Sequence, residues 1–463
     1  MTGHHPRVLM GLLFFPRGGS AHVAHNLARA LPGAGWDVRV VSGSVTVPGR
    51  PGDAREFYAG LDVQPVDMTA ALAAADPMGA DPPLHPSYED RPDAPDRVMC
   101  ALDDAAYEHQ VAAWARALDA AGAAAADVLH LHHLTPINEA AARVAPGVPV
   151  VGHLHGTELL MLDEIADGRG SWPHAAAWTQ RMRRWAARCE RLIVLSDSQV
   201  ERAERLLGVD PSRCVRVPNG FDPETFAPRV IDRMAFWRRH LVQEPRGWAP
   251  GAEAGSVAYS EDDLRAFAGE DPVLLYVGRF TAVKRIGLLI EAHARAQAAF
   301  ERPAPLVLLG GFPGEWEGEH PLETIRRTGA RDAFLAGWHG HDELPSFFAA
   351  SDVVVLPSVR EQFGQVLVEG MACGLPAIAV DAHGPAEIVE AGRTGWLVAP
   401  DHLDGLAAAL VDAVNRPAER RRRATAARAA ACARYAWPAL AAEVAAVYEA
   451  VRGVRDPGVH GLL

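Results

Sequence analysis

The sequence predicts an α/β protein built from two doubly wound parallel-sheet domains in tandem. At 463 residues the chain is longer than one ordinary hydrophobic core supports. Short apolar runs with strand character alternate with helical segments, and this alternation stops and then starts again at residue 273. Strands that are separated by helices form parallel sheets covered on both faces. We therefore expect two Rossmann-like domains.

The first half opens with a β-α-β unit. The pattern predicts a strand over 7–15, a glycine-rich loop over 16–19, a helix over 20–34 and a strand over 36–42. Val23, Leu27 and Leu31 recur every four residues and give that helix an apolar stripe. Further strands are predicted over 127–132, 148–153 and 191–195. Together these elements make an N-terminal domain of residues 1–220.

Two segments interrupt the alternation. Residues 43–97 are rich in Pro, Asp, Ala and Gly, which predicts a long excursion from the sheet, either a lid or a disordered loop. Residues 221–271 have a similar composition, and we expect a linker or insertion there that contains the domain junction.

The second half repeats the alternation in a C-terminal domain of residues 272–436. The pattern predicts strands over 273–277, 305–309, 333–336, 352–356 and 376–380, and helices over 285–299, 321–329, 343–350, 365–373 and 385–391. A last helix around 438–452 has apolar residues at helical spacing, and the segment 437–463 is expected to pack back on the N-terminal domain. In doubly wound domains the ligand crevice lies at the carboxyl ends of the strands, so we expect the two crevices to face each other across a cleft.

Composition restricts the partners. The net charge of −13 argues against nucleic acid and does not favour an anionic membrane surface. The five cysteines are scattered and form no C-x-x-C pair, which is typical of reduced thiols. No apolar run approaches the ~20 residues that span a bilayer, and the first strand lacks a signal-peptide cleavage pattern. We expect a cytoplasmic protein; the sequence leaves its oligomeric state open.

Lys284 is the only lysine in the chain, which has 45 lysines and arginines in total. It follows the predicted strand 273–277, five residues after Arg279. A compact ammonium and a planar guanidinium are not interchangeable, and together they suit a diphosphate. The alternative is a surface lysine retained by chance.

Two glutamates follow another predicted strand. Glu361 lies in the loop after strand 352–356, and Glu369 lies eight residues further on in the helix that Gly364 opens. The free N–H groups and positive end of such a helix suit an anion. Carboxylates accept hydrogen bonds from sugar or ribose hydroxyls. The alternative is a pair of solvated surface charges.

These motifs resemble the retaining nucleotide-sugar glycosyltransferases of family 4, which have the GT-B fold. The resemblance rests on Val-Gly-Arg279-x4-Lys284 and on Glu361-x7-Glu369 with Phe363-Gly364. It extends to Pro16-Arg-Gly-Gly19, to Gly152-His-Leu-His155-Gly156 and to Pro218-Asn-Gly-Phe-Asp222. Five ordered matches cover most of the chain.

The resemblance implies roles for residues of the C-terminal domain. Arg279 and Lys284 would neutralise the donor diphosphate, Glu369 would hold the ribose hydroxyls, and Glu361 would hold hydroxyls of the transferred sugar. The other residues implied in donor binding are Phe363, Gly364, Gln365 and Gly384, together with Trp338 in the segment Ala336-Gly-Trp338, where the nucleobase would rest.

Two further roles fall in the N-terminal domain. His155 would lie near the anomeric centre, through its imidazole or its carbonyl group. Gly19, at the start of the first helix, would let acceptor and phosphate approach the backbone.

The reaction implied by the resemblance is transfer of a hexosyl group, with retention, from a nucleoside diphosphate sugar to a hydroxyl of a small-molecule or lipid-linked acceptor. UDP is the favoured nucleotide, and front-face attack is the favoured mechanism. The chain contains no Asp-x-Asp triplet, and neither a metal nor another cofactor is expected. The alternatives are a membrane-docking lipid glycosyltransferase, a sugar-nucleotide epimerase or hydrolase on the same fold, and a non-catalytic sugar-nucleotide-binding protein.

Two observations complicate this interpretation. His130, His132, His133, His153 and His155 form a histidine-rich group, but no carboxylate or cysteine is spaced to complete a metal site, so core or acceptor-pocket histidines are favoured. The sequence also departs from the family pattern, because Arg285 and His383 stand where glycine is common and Gly370 stands where alanine is usual.

Overall fold

The computed structural model describes residues 5–16, 18–47, 52–89, 95–169, 171–269 and 271–452. The chain forms two compact units: unit 1 contains Met1–Asn219 and Trp437–Leu463, and unit 2 contains Gly220–Ala436. Arg17 of the predicted glycine-rich loop, residues 48–51 and 90–94 of the predicted excursion, and residues 453–463 at the end of the chain lie outside the described residues.

The described part of the chain contains thirteen strands. They are β1 (Arg7–Leu12), β2 (Asp37–Ser44), β3 (Asp62–Asp67), β4 (Val128–His132), β5 (Val150–His153), β6 (Arg191–Val194), β7 (Cys214–Arg216), β8 (Leu274–Val277), β9 (Leu306–Leu309), β10 (Ala333–Gly337), β11 (Val353–Leu356), β12 (Ala377–Val380) and β13 (Gly395–Val398).

Helices connect these strands. Over the same described residues they are α1 (Gly19–Ala30), α2 (Ala54–Phe57), α3 (Thr69–Leu72), α4 (Asp104–Ala120), α5 (Pro136–Val144), α6 (Thr157–Ala166), α7 (Ala175–Arg188), α8 (Asp197–Leu207), α9 (Arg233–Arg238), α10 (Ile286–Ala296), α11 (Pro321–Thr328), α12 (Leu344–Ala349), α13 (Gln365–Ala372), α14 (His383–Ile388), α15 (Leu403–Asn415), α16 (Pro417–Tyr435) and α17 (Trp437–Arg452). Within the described residues, none is both long enough and apolar enough to cross a bilayer.

Each unit is built on a parallel sheet. Among the described residues the sheet of unit 1 has seven strands in the order β3-β2-β1-β4-β5-β6-β7, and that of unit 2 has six in the order β10-β9-β8-β11-β12-β13. All named strand pairs are parallel. The two predicted doubly wound sheets are therefore confirmed. In unit 2 the strand order reverses between β8 and β11, and ligands of such sheets bind at this switch point.

The segment 43–97 differs from the predicted excursion. Its residues 62–67 form β3, which pairs with β2 at the edge of the sheet. Pro65 suits this place, because an edge strand can lack one N–H donor. Met78 and Leu84 are buried in the core of unit 1, and the Tyr88 hydroxyl donates to the Leu134 carbonyl at 2.7 Å. The Pro-rich composition concealed a strand and a packed connection.

The segment 221–271, predicted as a linker or insertion, belongs to unit 2. Trp237 and Trp248 are fully buried, and their indole N–H groups donate to the carbonyls of Ala350 and Gly311 at 3.3 and 3.0 Å. The unit boundary lies at Asn219, ahead of this segment. Large aromatic side chains make these loops part of the core in spite of their Gly and Pro content.

The last helix packs in unit 1. Trp437, Leu440, Val444 and Tyr448 of α17 are buried in one cluster with residues of α1, β1 and β2. The Tyr448 hydroxyl hydrogen-bonds with His130 Nδ1 on β4. Residues at both ends of the chain therefore complete one hydrophobic core.

Candidate active site

The switch point of unit 2 brings together two loops that are far apart in the sequence. The loop after β8 carries Lys284, and the loop after the neighbouring β11 carries Glu361. Lys284 Nζ and Glu361 Oε2 form an ion pair, and the two side chains are only 20% and 18% exposed. Lys284 and Glu361 therefore contact each other directly. The lysine can also bind an anionic ligand, and the glutamate can accept a hydrogen bond from a hydroxyl.

The two loops are tied together through their backbones. The Val283 carbonyl accepts a hydrogen bond from the Val359 N–H at 3.0 Å and from the Ser358 hydroxyl at 3.2 Å. Arg279 is exposed on the same loop as Lys284, and its carbonyl accepts a hydrogen bond from the Tyr276 hydroxyl at 2.9 Å. Both predicted cations thus lie on one loop at the carboxyl edge of the sheet.

Two glycines shape the loop around Glu361. Gly364 has φ 103° and precedes the first turn of α13, a conformation that favours glycine. At Gly384 an added Cβ would lie 2.4 Å from Phe363 Cα, so only glycine allows this approach. The Gly384 N–H donates to the Glu361 carbonyl at 3.3 Å. Because the Phe363 side chain is buried, this residue can offer a ligand only its backbone.

Glu369 is a buried carboxylate on α13, with 3% of its side chain exposed. Its Oε1 accepts hydrogen bonds from His341 Nε2 at 2.8 Å and from Gln365 Nε2 at 3.0 Å. Gln365 Nε2 also donates to the Gly220 carbonyl at 2.8 Å. Two donors therefore hold one oxygen of the carboxylate to which the family resemblance assigns the ribose.

His341 is a neighbour of Glu369 that sequence reasoning missed. Although burial disfavours the imidazolium, the hydrogen bond to Glu369 and the charges of Glu369 and Asp342 raise the pKa of His341. Its ring packs 5.1 Å from that of Phe226, between ring centroids. A single histidine in a loop carries no sequence signal, and only the folded chain brings it to a glutamate 28 residues away.

A cavity of about 440 Å³ lies beside the loops that follow β9 and β10. Trp338 and Phe312 line it. These residues are 47% and 55% exposed, and their rings lie 6.1 Å apart in a T-shaped arrangement. Trp316, Arg246 and the segment 251–254 supply further walls. Sequence reasoning named Trp338 but missed Phe312, although Phe312 follows a predicted strand whose end lies at the same sheet edge.

The remaining two predicted residues, Gly19 and His155, lie in unit 1. Gly19 is the first residue of α1 and is exposed, and an added Cβ there would meet no atom within 4 Å. Protein packing therefore does not require glycine at this position. His155 follows β5 and is partly buried, and its backbone N–H donates to Glu158 Oε1 at 3.2 Å.

His155 belongs to a histidine network at the ends of β4 and β5. His132 Nδ1 and His155 Nε2 are 3.0 Å apart, and His130 Nε2 and His153 Nδ1 are 3.2 Å apart. The rings of His130 and His132 stack with centroids 4.6 Å apart, and those of His153 and His155 stack at 4.5 Å. Burial, followed by neighbouring histidine charges, lowers the pKa of all four imidazoles.

Three of these histidines also bring possible ligand nitrogens together. Those of His130, His132 and His153 lie within 4.8 Å of one another. Their rings, however, stand in nearly parallel planes, with interplanar angles of 14°, 16° and 26°. The three rings thus belong to the stacked, hydrogen-bonded histidine network.

Two departures from the family pattern coincide with unusual backbone. Arg285 and His383 have φ values of 54° and 51°, in the left-handed region that favours glycine. Arg285 gains two hydrogen bonds to Asp401, at 2.6 and 3.2 Å. At both positions this chain therefore places a larger side chain on a backbone conformation that favours glycine.

Comparison with known proteins agrees with this architecture. The model of glycosyl transferases group 1 matches residues 261–430, and that of Glycosyltransferase Family 4 matches residues 17–225. A D-inositol 3-phosphate glycosyltransferase of Catenulispora acidiphila is 30% identical over 340 residues, which cover 71% of each chain. A glycogen synthase of Mycobacterium tuberculosis is 27% identical over 421 residues, covering 84% of this chain and 91% of the synthase.

A solved structure supports the fold. The Anabaena protein HepE in complex with UDP-glucose superposes with a TM-score of 0.65 and 18% identity, over 96% of this chain and 100% of HepE. The two parallel-sheet units, the two family models and the relative from Catenulispora agree in their assignment. The chain belongs to the family 4 glycosyltransferases of GT-B fold, and it is a glycosyltransferase.

Proposed function

We propose that the protein transfers a hexosyl group from a UDP-linked sugar to an acceptor hydroxyl, with retention of configuration and without a metal ion. The observation that carries the proposal is the arrangement at the switch point of unit 2. There Lys284 contacts Glu361, and the buried Glu369 lies on the helix that follows. A cation suited to a diphosphate and a carboxylate suited to hydroxyls thus lie on two adjacent loops, and a second carboxylate lies on the helix that follows.

Lys284 and Arg279 stabilise the leaving group. As the bond between the anomeric carbon and the phosphate oxygen breaks, negative charge grows on that oxygen, and the two cations neutralise it. The donor diphosphate takes the place of Glu361 as the partner of Lys284, which releases Glu361 to accept a hydrogen bond from the sugar. Exchange of one anionic partner for another avoids leaving a half-buried charge unpaired.

The acceptor hydroxyl attacks the face of the sugar from which the phosphate leaves. The departing phosphate oxygen takes the hydroxyl proton, so that no protein base is consumed and the configuration is retained. The family resemblance assigns His155 a role near the anomeric centre. Burial lowers the pKa of this imidazole, which keeps it neutral at pH 7.

The rest of the donor extends over the neighbouring strand ends. Glu369 accepts from the ribose hydroxyls, and the backbone at Phe363 and Gly364 contacts the sugar or phosphate. Gln365 holds the Glu369 carboxylate in place, and Gly384 lets its own loop pack against the backbone of Phe363. The base enters the cavity between Trp338 and Phe312, where aromatic rings offer stacking surfaces. The UDP-glucose complex of HepE supports the choice of UDP.

The proposal is tested first on Lys284. Lys284→Ala should lower kcat by about 10²-fold or more, as the loss of a transition-state charge partner does. Lys284→Arg should recover only part of that loss, because a guanidinium does not reproduce a compact ammonium. Nucleotide release from UDP-, GDP-, ADP- and dTDP-sugars, with D-inositol 3-phosphate among the acceptors, gives the rates and the preferred donor.

The matched control is Arg295→Ala, which removes an exposed cation of α10 that pairs with Asp404. It should leave kcat within about twofold. NMR of the product's anomeric proton reports the configuration, and EDTA tests the need for a metal. Full activity of Lys284→Arg, an inverted product or inactivation by EDTA would each contradict the corresponding part of the proposal.

A further inference from the structure

We propose that His341 is a positioning residue: it fixes the Glu369 carboxylate so that Oε2 faces the ribose hydroxyls of the bound nucleotide. The inference rests on the proposed function, because it assigns a task to a residue that supports the donor site. It adds a residue outside the family motif, and it explains why a glutamate that must bind a ligand lies almost fully buried.

The two oxygens of Glu369 have different surroundings. Oε1 accepts from both His341 Nε2 and Gln365 Nε2, at 2.8 and 3.0 Å. Among the described residues no donor hydrogen-bonds to Oε2, and this oxygen is not among the buried polar atoms without a partner. One side of the carboxylate is anchored, and the other is accessible to a hydroxyl donor.

Two anchors restrict the carboxylate more than one does. A glutamate side chain has a broad, roughly two-fold terminal torsion, so a single hydrogen bond leaves its plane free to swing. His341 and Gln365 approach the same oxygen from different parts of unit 2, one from the loop after β10 and one from the first residue of α13. A carboxylate held in this way meets the ribose without first losing rotational freedom.

The anchors are themselves supported. The His341 ring packs against Phe226, whose side chain is 3% exposed. Gln365 Nε2 is shared with the Gly220 carbonyl at 2.8 Å. The segment from Gly220 to Phe226 therefore backs both donors. His341 donates through Nε2–H to a carboxylate in its neutral and in its protonated form, so the anchor is kept over the working pH range.

The test is a double cycle of protein and ligand. Binding of UDP and of 2′,3′-dideoxy-UDP is measured by calorimetry for the wild type, His341→Ala, His341→Gln and Glu369→Gln. His341→Ala should weaken UDP about 10-fold and change the dideoxy analogue by less than twofold, since loss of one hydrogen bond to a charged group is of this order. His341→Gln should restore most of the affinity, because an amide N–H can donate to the same oxygen.

The remaining outcomes separate this inference from the proposed function. Equal weakening of both ligands by His341→Ala, or no weakening of either, would overturn the positioning role. If wild-type protein does not distinguish UDP from its dideoxy analogue, or if Glu369→Gln keeps the full preference, the ribose site of the proposed function fails and this inference fails with it. His402→Gln, at the exposed cap of α15, is the control that should alter neither affinity.

Discussion

At the scale of single residues, the contact between Lys284 and Glu361 predicts that removing the Glu361 charge lowers turnover without weakening UDP binding. A nucleoside diphosphate must replace Glu361 beside Lys284. Glu361→Gln removes that competing charge, so we expect UDP to bind as tightly as in the wild type or several-fold more tightly. Turnover should still fall about 10-fold or more, because the amide accepts hydrogen bonds from the transferred sugar less well than a carboxylate does. Calorimetry with UDP and the measured kcat are the two readouts.

The sign of the binding change decides this prediction. A clear loss of UDP affinity in Glu361→Gln would mean that the carboxylate holds Lys284 in its binding position and does not compete for it. Glu291→Gln, at a partly exposed position of α10 where Glu291 pairs with Arg327, is the matched control and should change neither quantity.

Ligands of doubly wound domains bind at the carboxyl ends of the strands, and this rule predicted part of the candidate site from the sequence. It did not predict His341 and Phe312, for physical reasons. Arg279, Lys284 and Glu361 follow strands that the apolar pattern identified, and the fold then placed Lys284 and Glu361 in contact. His341 was missed because its value depends on a hydrogen bond to Glu369, and no local pattern predicts a contact over 28 residues. Phe312 was missed because the sequence does not show that its side chain is exposed, and a single aromatic residue after a strand is not unusual.

At the scale of elements, hydrophobic alternation predicted most of the strands and helices of both sheets. The predicted pattern did not include β7, and in the second half it ended at residue 391, so it also missed β13, α15 and α16. It failed for β3, where Pro65 and the polar neighbours of an edge strand hide the pattern. It also failed for the segment 221–271, whose buried Trp237 and Trp248 stand among Gly and Pro residues. Edge strands and aromatic-anchored loops depend on tertiary packing, and their sequences need not show the period of a regular element.

The buried histidine network at the ends of β4 and β5 leads us to expect that acid destabilises unit 1. Burial lowers the pKa of His130, His132, His153 and His155 from 6.5, so the unfolded chain binds more protons than the folded one as the pH falls. Their stabilising contribution is complete above pH 6.5 and is lost as the pH falls through their folded pKa values. The melting temperature should therefore fall between pH 7 and pH 5, by about 2–4 °C for each kcal/mol lost in a unit of this size.

A variant separates the histidine network from other acid effects. His153→Gln removes one buried titrating ring and should show a smaller fall in melting temperature over the same pH range, starting from a lower value. His174→Gln replaces a partly exposed histidine at the start of α7 and should follow the wild-type pH dependence. If His153→Gln parallels the wild type at every pH, the network does not control acid stability.

At the scale of the whole molecule, unit 1 is built from two separate segments of the chain, and all of unit 2 lies between them in the sequence. The second segment of unit 1 contains α17, the last described helix. The core of unit 1 therefore cannot close until α17 is available. Without α17, apolar side chains of β1 and β2 would be exposed, because they pack in one cluster with Trp437, Leu440, Val444 and Tyr448. All 217 residues of unit 2, from Gly220 to Ala436, precede α17 in the chain. The sequence of unit 2 is therefore complete before that of unit 1.

Truncation after Ala436 should consequently affect the two units very differently. Without α17 the amides of β1 and β4 should lose most of their protection from hydrogen exchange, because buried apolar contacts and the hydrogen bond between Tyr448 and His130 are removed. The amides of β8 and β11 should keep theirs. Tyr448→Phe is the graded variant: it keeps the ring and loses only the hydroxyl, which should cost about 1 kcal/mol. Equal loss of protection in both sheets would show that unit 2 depends on α17 as much as unit 1 does.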